Sequence, residues 1–177
     1  AKEYLATALS ELGCTVDDLS AHLSIDCGDS PTSIAEASFY QEQWRQVLGI
    51  EVAVNSMITK QGSQNRKTGN YVMSITGWGP DYNDPNTFLD MWVTDGGNNQ
   101  TGFSNERYDE LIDLAAKETD LEKRESYFIE CEQIIADQLP IGPSFWRAPS
   151  YACSDKIKGG MHRSTFQDIN AVYVKLS

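Results

Sequence analysis

Histidine is nearly absent from this sequence: His22 and His162 are the only two in 177 residues. The four cysteines, Cys14, Cys27, Cys131 and Cys153, follow no zinc-ligand spacing, so a structural zinc site lacks its donors. Cations are scarce as well. Fourteen Lys and Arg stand against 26 Asp and Glu, a formal charge of −12, and the basic residues are scattered without a run. Such a surface repels phosphate backbones and anionic lipid, which argues against nucleic-acid binding and peripheral membrane binding. No apolar stretch approaches the length of a membrane span, so direct membrane insertion of this segment is not expected. There is no Gly-x-Ser-x-Gly elbow, no phosphate-binding glycine loop and no His-Glu-x-x-His. These absences disfavour an enzyme, and no cofactor is expected.

What remains is an ordinary globular composition. The apolar fraction is 40 %, and the length suits a domain able to bury a core. Lys2 to Leu12 places Tyr4, Leu5, Ala8, Leu9 and Leu12 on one helical face, with Gly13 as its stop. Ser20 to Asp26 alternates and reads as a strand. Gly28 to Pro31 is a turn in which Ser30 caps and Pro31 opens a helix running to about Leu48, where Gly49 ends it. Its apolar stripe is Ile34, Ala37, Tyr40, Trp44, Val47 and Leu48. Ile50 to Val54 alternates as a second strand. Strand, helix, strand in this order predicts an α/β unit with parallel strands joined by a right-handed crossover.

Met57 to Thr68 suggests a short polar helix, Tyr71 to Thr76 a third strand, and Pro85 to Trp92 a short helix with Phe88, Leu89 and Trp92 inward. Thr94 to Thr101 is a loop of Gly, Asn and Asp. Ser104 is the expected cap of a helix to about Glu118, with Tyr108, Leu111, Ile112 and Ala115 on one face. Asp120 caps the next, which runs to about Leu139 with Leu121, Phe128, Cys131, Ile135 and Leu139 as its stripe. The two should pack as a hairpin. Their charged residues, Glu106, Asp109, Glu122, Lys123, Arg124 and Glu125, read as solvated surface. Cys131 reads as a buried thiol, and Cys14 and Cys27 flank a connection across which pairing is one option. Phe145 to Cys153 is β-like, Gly159-Gly160 interrupts the chain, and Ala171 to Val174 reads as a last strand.

The most informative segment is Gly77-Trp78-Gly79-Pro80-Asp81-Tyr82-Asn83-Asp84-Pro85-Asn86-Thr87-Phe88-Leu89-Asp90. It follows a strand-like run, breaks regular structure with glycine and proline, and sets an indole three residues before a carboxylate. Ligands of open α/β sheets bind outside strand ends of this kind. An indole offers a flat apolar wall and a carboxylate a partner for a cation. From the residues alone, Asp81 reads more readily as a turn residue bonding its own backbone, and Trp78 equally as a core residue. Asp84 is the expected cap of the short helix after it, with Pro85 in the first turn. Asp81, Asn83 and Asn86 do not make an EF-hand: Asn86 stands at position six, where Gly is needed, and Trp92 at position twelve, where Glu is needed.

The segment resembles the Gly-Trp-x-x-Asp-Tyr-x-Asp-Pro-x-x-Phe-Leu signature of the extracytoplasmic oligopeptide- and dipeptide-binding proteins that feed ABC importers. Ala35 to Val52, Phe103 to Leu111 and Pro140 to Pro143 agree with that family in the same order. The resemblance implies one lobe of a two-lobed, type II periplasmic-binding-protein-like fold, a mixed sheet flanked by helices. Residues 1–153 would form the ligand-binding lobe, and 154–177 a return segment to the other lobe, loosely held here or paired with a sheet edge or a neighbouring chain. The implied partners are a peptide ligand, the missing N-terminal lobe and the ABC permease subunits. The implied location is extracytoplasmic, with a lipid anchor on a segment outside this chain. The sequence opens on Ala1 rather than Met, with no leader, so a piece of a longer protein is expected.

Within the resemblance, Trp78 lines the pocket of the peptide's first residue and Asp81 pairs with its α-ammonium. Asn98, Asn99 and Gln100 lie in a loop suited to hold the peptide main chain, with Asn98 and Asn99 the expected contacts; an exposed polar loop is the plainer alternative. Other ligands on the same scaffold (a sugar, a nickel chelate, a haem), a carboxylate-based hydrolase and a surface sensory or adhesion module remain open as alternatives.

Overall fold

The computed structural model describes residues 1–146 and 152–158, together with the short strands at 162–163, 169–170 and 175–176. It divides into two compact units, Ala1–Gly77 and Trp78–Ser177.

The first unit is α/β. Helix α1 (Lys2–Leu12) ends where Gly13 takes the left-handed conformation, φ 65°, as the expected stop. Helix α2 (Val16–Ser20) departs from expectation, because its residues border the stretch read as a strand. Thr15 and Asp18 cap it reciprocally: the Asp18 N–H donates to Thr15 Oγ1 at 3.2 Å and the Thr15 N–H to Asp18 Oδ2 at 2.9 Å. Strand β1 (Ser24–Gly28) therefore starts later than the alternation suggested, and Ala21 and His22 lie in a turn. Ser30 caps helix α3 (Pro31–Leu48), accepting from the Ser33 N–H at 3.2 Å, and Gly49 terminates it at φ 71°. Ala37, Trp44 and Leu48 of α3 pack on the core, whereas Ile34 and Val47 of the expected stripe are exposed.

Strand β2 (Ala53–Met57) pairs parallel with β1 from Ser24↔Ala53 to Gly28↔Met57, three residues later than predicted. Ile50 and Val52 nonetheless enter the core. Helix α4 (Thr59–Thr68) and strand β3 (Met73–Ser74) follow, and β3 also runs parallel to β1. The sheet order is β2-β1-β3, all parallel. As the central strand, β1 is covered on both faces, which is why Ile25, Asp26 and Cys27 are all buried.

The second unit begins with the Trp78 loop. Helix α5 (Asn86–Leu89) and a 3₁₀ turn at Asp90–Trp92 occupy the predicted short helix. Helix α6 (Glu106–Lys117) is capped by Asn105 rather than Ser104: Asn105 Oδ1 accepts from the Tyr108 N–H at 2.9 Å. Asp120 caps helix α7 (Leu121–Gln138) as expected. The α6–α7 hairpin buries Tyr108, Leu111, Ile112, Ala115, Phe128, Cys131 and Ile135. Leu121 and Leu139, at the two ends of the predicted stripe, are exposed.

In the tail, β4 (Ile157–Lys158) pairs antiparallel with β7 (Lys175–Leu176), and β5 (His162–Arg163) with β6 (Ile169–Asn170). The described tail strands thus pair with one another. The strand predicted at Ala171 to Val174 and most of the β-like stretch from Phe145 lie outside the described residues. All four cysteines are free; Cys131 is fully buried as expected, and the Cys14–Cys27 pairing is not formed. Among the described residues no helix is long and apolar enough to cross a membrane.

Candidate functional site

The Trp78 loop is held by its own side chains. The Asp81 N–H donates to Thr87 Oγ1 at 3.0 Å, and Thr87 is only 2 % exposed. A hydroxyl so buried needs a partner, and here that partner fixes the backbone of Asp81. The Asp81 side chain is exposed, and no described residue donates a hydrogen bond to its carboxylate. Trp78 is 41 % exposed, so its indole is not the core residue that the alternative reading required.

The other carboxylates of the loop are engaged. Asp84 Oδ1 accepts from the Asn86 N–H at 2.9 Å, and both carboxylate oxygens take a bidentate ion pair from Arg124 at 2.6 and 2.9 Å. The capping role foreseen for Asp84 is thus met in part, by one bond to the first residue of α5. The hydrogen bonds from Arg124 hold the Asp84 carboxyl below the usual range. Arg124 also donates from Nε to the Ala115 carbonyl at 3.0 Å, and its guanidinium lies 4.6 Å from the Phe128 ring centre. Its reading as a solvated surface charge is corrected: α7 turns this position toward Asp84, and a planar five-donor group fits a carboxylate and a carbonyl together. Asp109 is corrected likewise, since its Oδ1 accepts from the Thr94 N–H at 2.8 Å.

Asp90 Oδ2 accepts from Tyr82 Oη and from Asn86 Nδ2, both at 3.2 Å, and Asn86 Nδ2 also reaches Tyr82 Oη at 2.9 Å. Burial and the nearby Asp90 carboxylate push the Tyr82 phenol up. Phe88 packs edge-on against Trp146, ring centres 5.3 Å apart.

In the 94–101 loop, Asn98 is exposed. Asn99 is bonded at both ends: Nδ2 donates to the carbonyls of Val93 and Phe103 at 3.0 and 2.8 Å, and Oδ1 accepts from Thr101 Oγ1 at 3.0 Å. The side chain foreseen as a ligand contact therefore fastens the loop that presents Asn98.

A polar cavity of about 420 Å³ in the first unit escaped the sequence reading. Ser24, Asp26, Asn55, Asn65, Asn70 and Tyr71 are among the residues that line it. Asp26 is 5 % exposed and accepts from Asn55 Nδ2 and Asn65 Nδ2, both at 3.2 Å. An aspartate between Ile25 and Cys27 in a strand was the available signal, since a buried carboxylate needs donors. Among the described residues, no group of three His, Cys, Asp or Glu comes together to hold a metal ion.

Comparison with known proteins gives a consistent result. The family model of the bacterial extracellular solute-binding proteins, family 5 (middle region), matches residues 1–100. The chain is 34 % identical over 167 residues to the oligopeptide-binding protein OppA of Bacillus subtilis, covering 90 % of this chain and 29 % of that protein. It is 32 % identical over 181 residues to the dipeptide-binding protein of Lactococcus lactis, covering 99 % of this chain and 32 % of the relative. In structure it is similar to Listeria monocytogenes OppA bound to peptide, with a TM-score of 0.81 and 28 % identity over 99 % of this chain and 33 % of that one. The chain thus spans about a third of the length of the relatives it matches.

Proposed function

The chain belongs to family 5 of the bacterial extracellular solute-binding proteins, and from that membership we propose that it supplies part of the ligand cleft of a peptide-binding component of an ABC importer. The whole protein closes two lobes on a peptide by hinge motion and hands it to permease subunits. It works outside the cytoplasm, held to the membrane by a lipid anchor on a segment beyond this chain. Residues 154–177 form the segment that returns to the other lobe, and no reaction is carried out on the ligand.

The observation that carries this reading is the state of Asp81. Asp84 and Asp90 of the same loop are engaged by neighbouring side chains, whereas the Asp81 carboxylate is exposed with no described donor. Its role is to pair with the peptide's α-ammonium, and Trp78 walls the first side chain. In a closed cleft an ammonium needs a carboxylate partner, and a charge-assisted bond there outweighs a neutral one. Asn98 offers an amide to the peptide main chain, and Asn99 keeps that loop in shape.

Calorimetry with tri-alanine and N-acetyl-tri-alanine on the longer protein tests the assignment. Asp81→Ala should weaken the free-amino peptide by about 2–5 kcal/mol and the acetylated one far less. Equal losses would remove the ammonium role. The isolated 177-residue chain should bind tri-alanine only very weakly, and micromolar affinity would contradict the shared-cleft reading.

A further inference from the structure

We propose that the Asp84–Arg124 ion pair is a positioning device that sets where the Asp81 carboxylate stands, without touching the ligand itself. The proposal rests on the ligand role given to Asp81 above.

Arg124 is fixed from three sides. Its Nη1 and Nη2 hold the Asp84 carboxylate, its Nε holds the Ala115 carbonyl of α6, and its face lies over Phe128 of α7. Asp84 is 40 positions away in sequence, so the pair ties the loop to a hairpin whose interior is closely packed. From Asp84 the tie runs on. Its Oδ1 accepts from the Asn86 N–H at 2.9 Å and its carbonyl from the Thr87 N–H at 3.2 Å. Thr87 Oγ1 in turn accepts from the Asp81 N–H. An unbroken series of bonds thus links the hairpin, through Arg124, Asp84 and Thr87, to the backbone of Asp81.

Residues 81–84 form no helix or strand, and within them the Asp84 N–H to Tyr82 carbonyl contact at 3.0 Å is the sole backbone bond. A segment of this kind takes its shape from what holds its ends. Arg124 and Asp84 are 23 % and 27 % exposed, so water does not readily replace either partner. Misplacing a charge-pairing group by an ångström weakens its bond steeply, so the pair governs affinity from a distance.

If the pair served stability alone, binding would fall only in step with the melting temperature. In the longer protein, Arg124→Gln is compared with Ile135→Val, which loosens the same helix core without touching the pair. Two readouts are used: calorimetry with tri-alanine and N-acetyl-tri-alanine, and hydrogen exchange over residues 81–88 and 108–115. Arg124→Gln is expected to weaken tri-alanine about tenfold, to narrow the preference for the free amino terminus, and to speed exchange at 81–88 while 108–115 stays protected. Arg124→Lys should recover part of the affinity through its charge. Ile135→Val should lower the melting temperature with the peptide preference intact. The proposal is overturned if Arg124→Gln leaves affinity and exchange at 81–88 unchanged, or if Ile135→Val loses as much peptide preference. Should the parent bind no tri-alanine, the functional reading fails; the positioning claim is then decided by exchange at 81–88, which supports it if raised and ends it if unchanged.

Discussion

Tyr108 Oη donates to the Leu89 carbonyl at 2.6 Å, with Tyr108 wholly buried and Leu89 only 7 % exposed. One phenol thereby joins α6 to the end of α5. Burial pushes its pKa far up, which favours the protonated, donating phenol. Tyr108→Phe keeps the ring, and its edge-on contact with Phe103, but strands a buried carbonyl. The expected cost is about 1–3 kcal/mol, read from urea unfolding. A variant as stable as its parent would show that water replaces the hydroxyl.

The thiols should separate by reactivity. Cys131 is fully buried, and desolvation pushes its pKa up to about 12; burial also raises Cys27. Cys153 is exposed and Cys14 half-buried. Alkylation of the native chain near pH 8, mapped by mass spectrometry, should modify Cys153 first, then Cys14, with Cys27 and Cys131 protected until denaturant is added. Early modification of Cys131 would contradict the packing of the α6–α7 hairpin.

The sequence announced much of this architecture because local chemistry decided it. Gly13, Gly49, Ser30, Pro31 and Asp120 punctuate helices for reasons contained in a few neighbouring residues. It was less informative where distant groups decide. The Thr15–Asp18 capping box was overlooked because the helix it starts is a single short turn running into an alternating stretch. The start of β1 shifted because a central parallel strand buried on both faces does not alternate, and β2, its edge partner, follows the register that β1 sets. Arg124 looked like one charge on a charged face, and nothing nearby in sequence pointed to Asp84. In the Trp78 loop, the residue types of Trp78 and Asp81 could be read directly. What distinguishes Asp81 from Asp84 and Asp90 is which of them already has a partner, a property of the folded chain alone.

The Asp84–Arg124 pair also sets an acid limit. Hydrogen bonds from Arg124 lower the folded pKa of Asp84 below its unfolded value of about 3.9. The pair's contribution is therefore complete above pH 4 to 5 and is lost as pH falls through the folded value. Asp84→Asn should lower the melting temperature most at neutral pH, and the gap to the parent should shrink steadily below pH 4. A gap independent of pH would assign the loss to packing rather than to charge.

Gly79 separates a requirement of the fold from one of the ligand. It has no left-handed φ, and a Cβ added there meets no described atom within 4 Å. Gly49, in contrast, sits at φ 71°, where any side chain is strained although the space around it is open. Gly49→Ala should therefore cost about 1–2 kcal/mol through the backbone alone. Gly79→Ala should leave the melting temperature within error. If a peptide passes closely beside Trp78, the added methyl group obstructs it, and calorimetry on the longer protein should show weaker tri-alanine binding at unchanged stability. Unchanged binding would mean that the glycine leaves room for nothing the ligand uses, and the peptide path would then have to run along another side of the Trp78 indole.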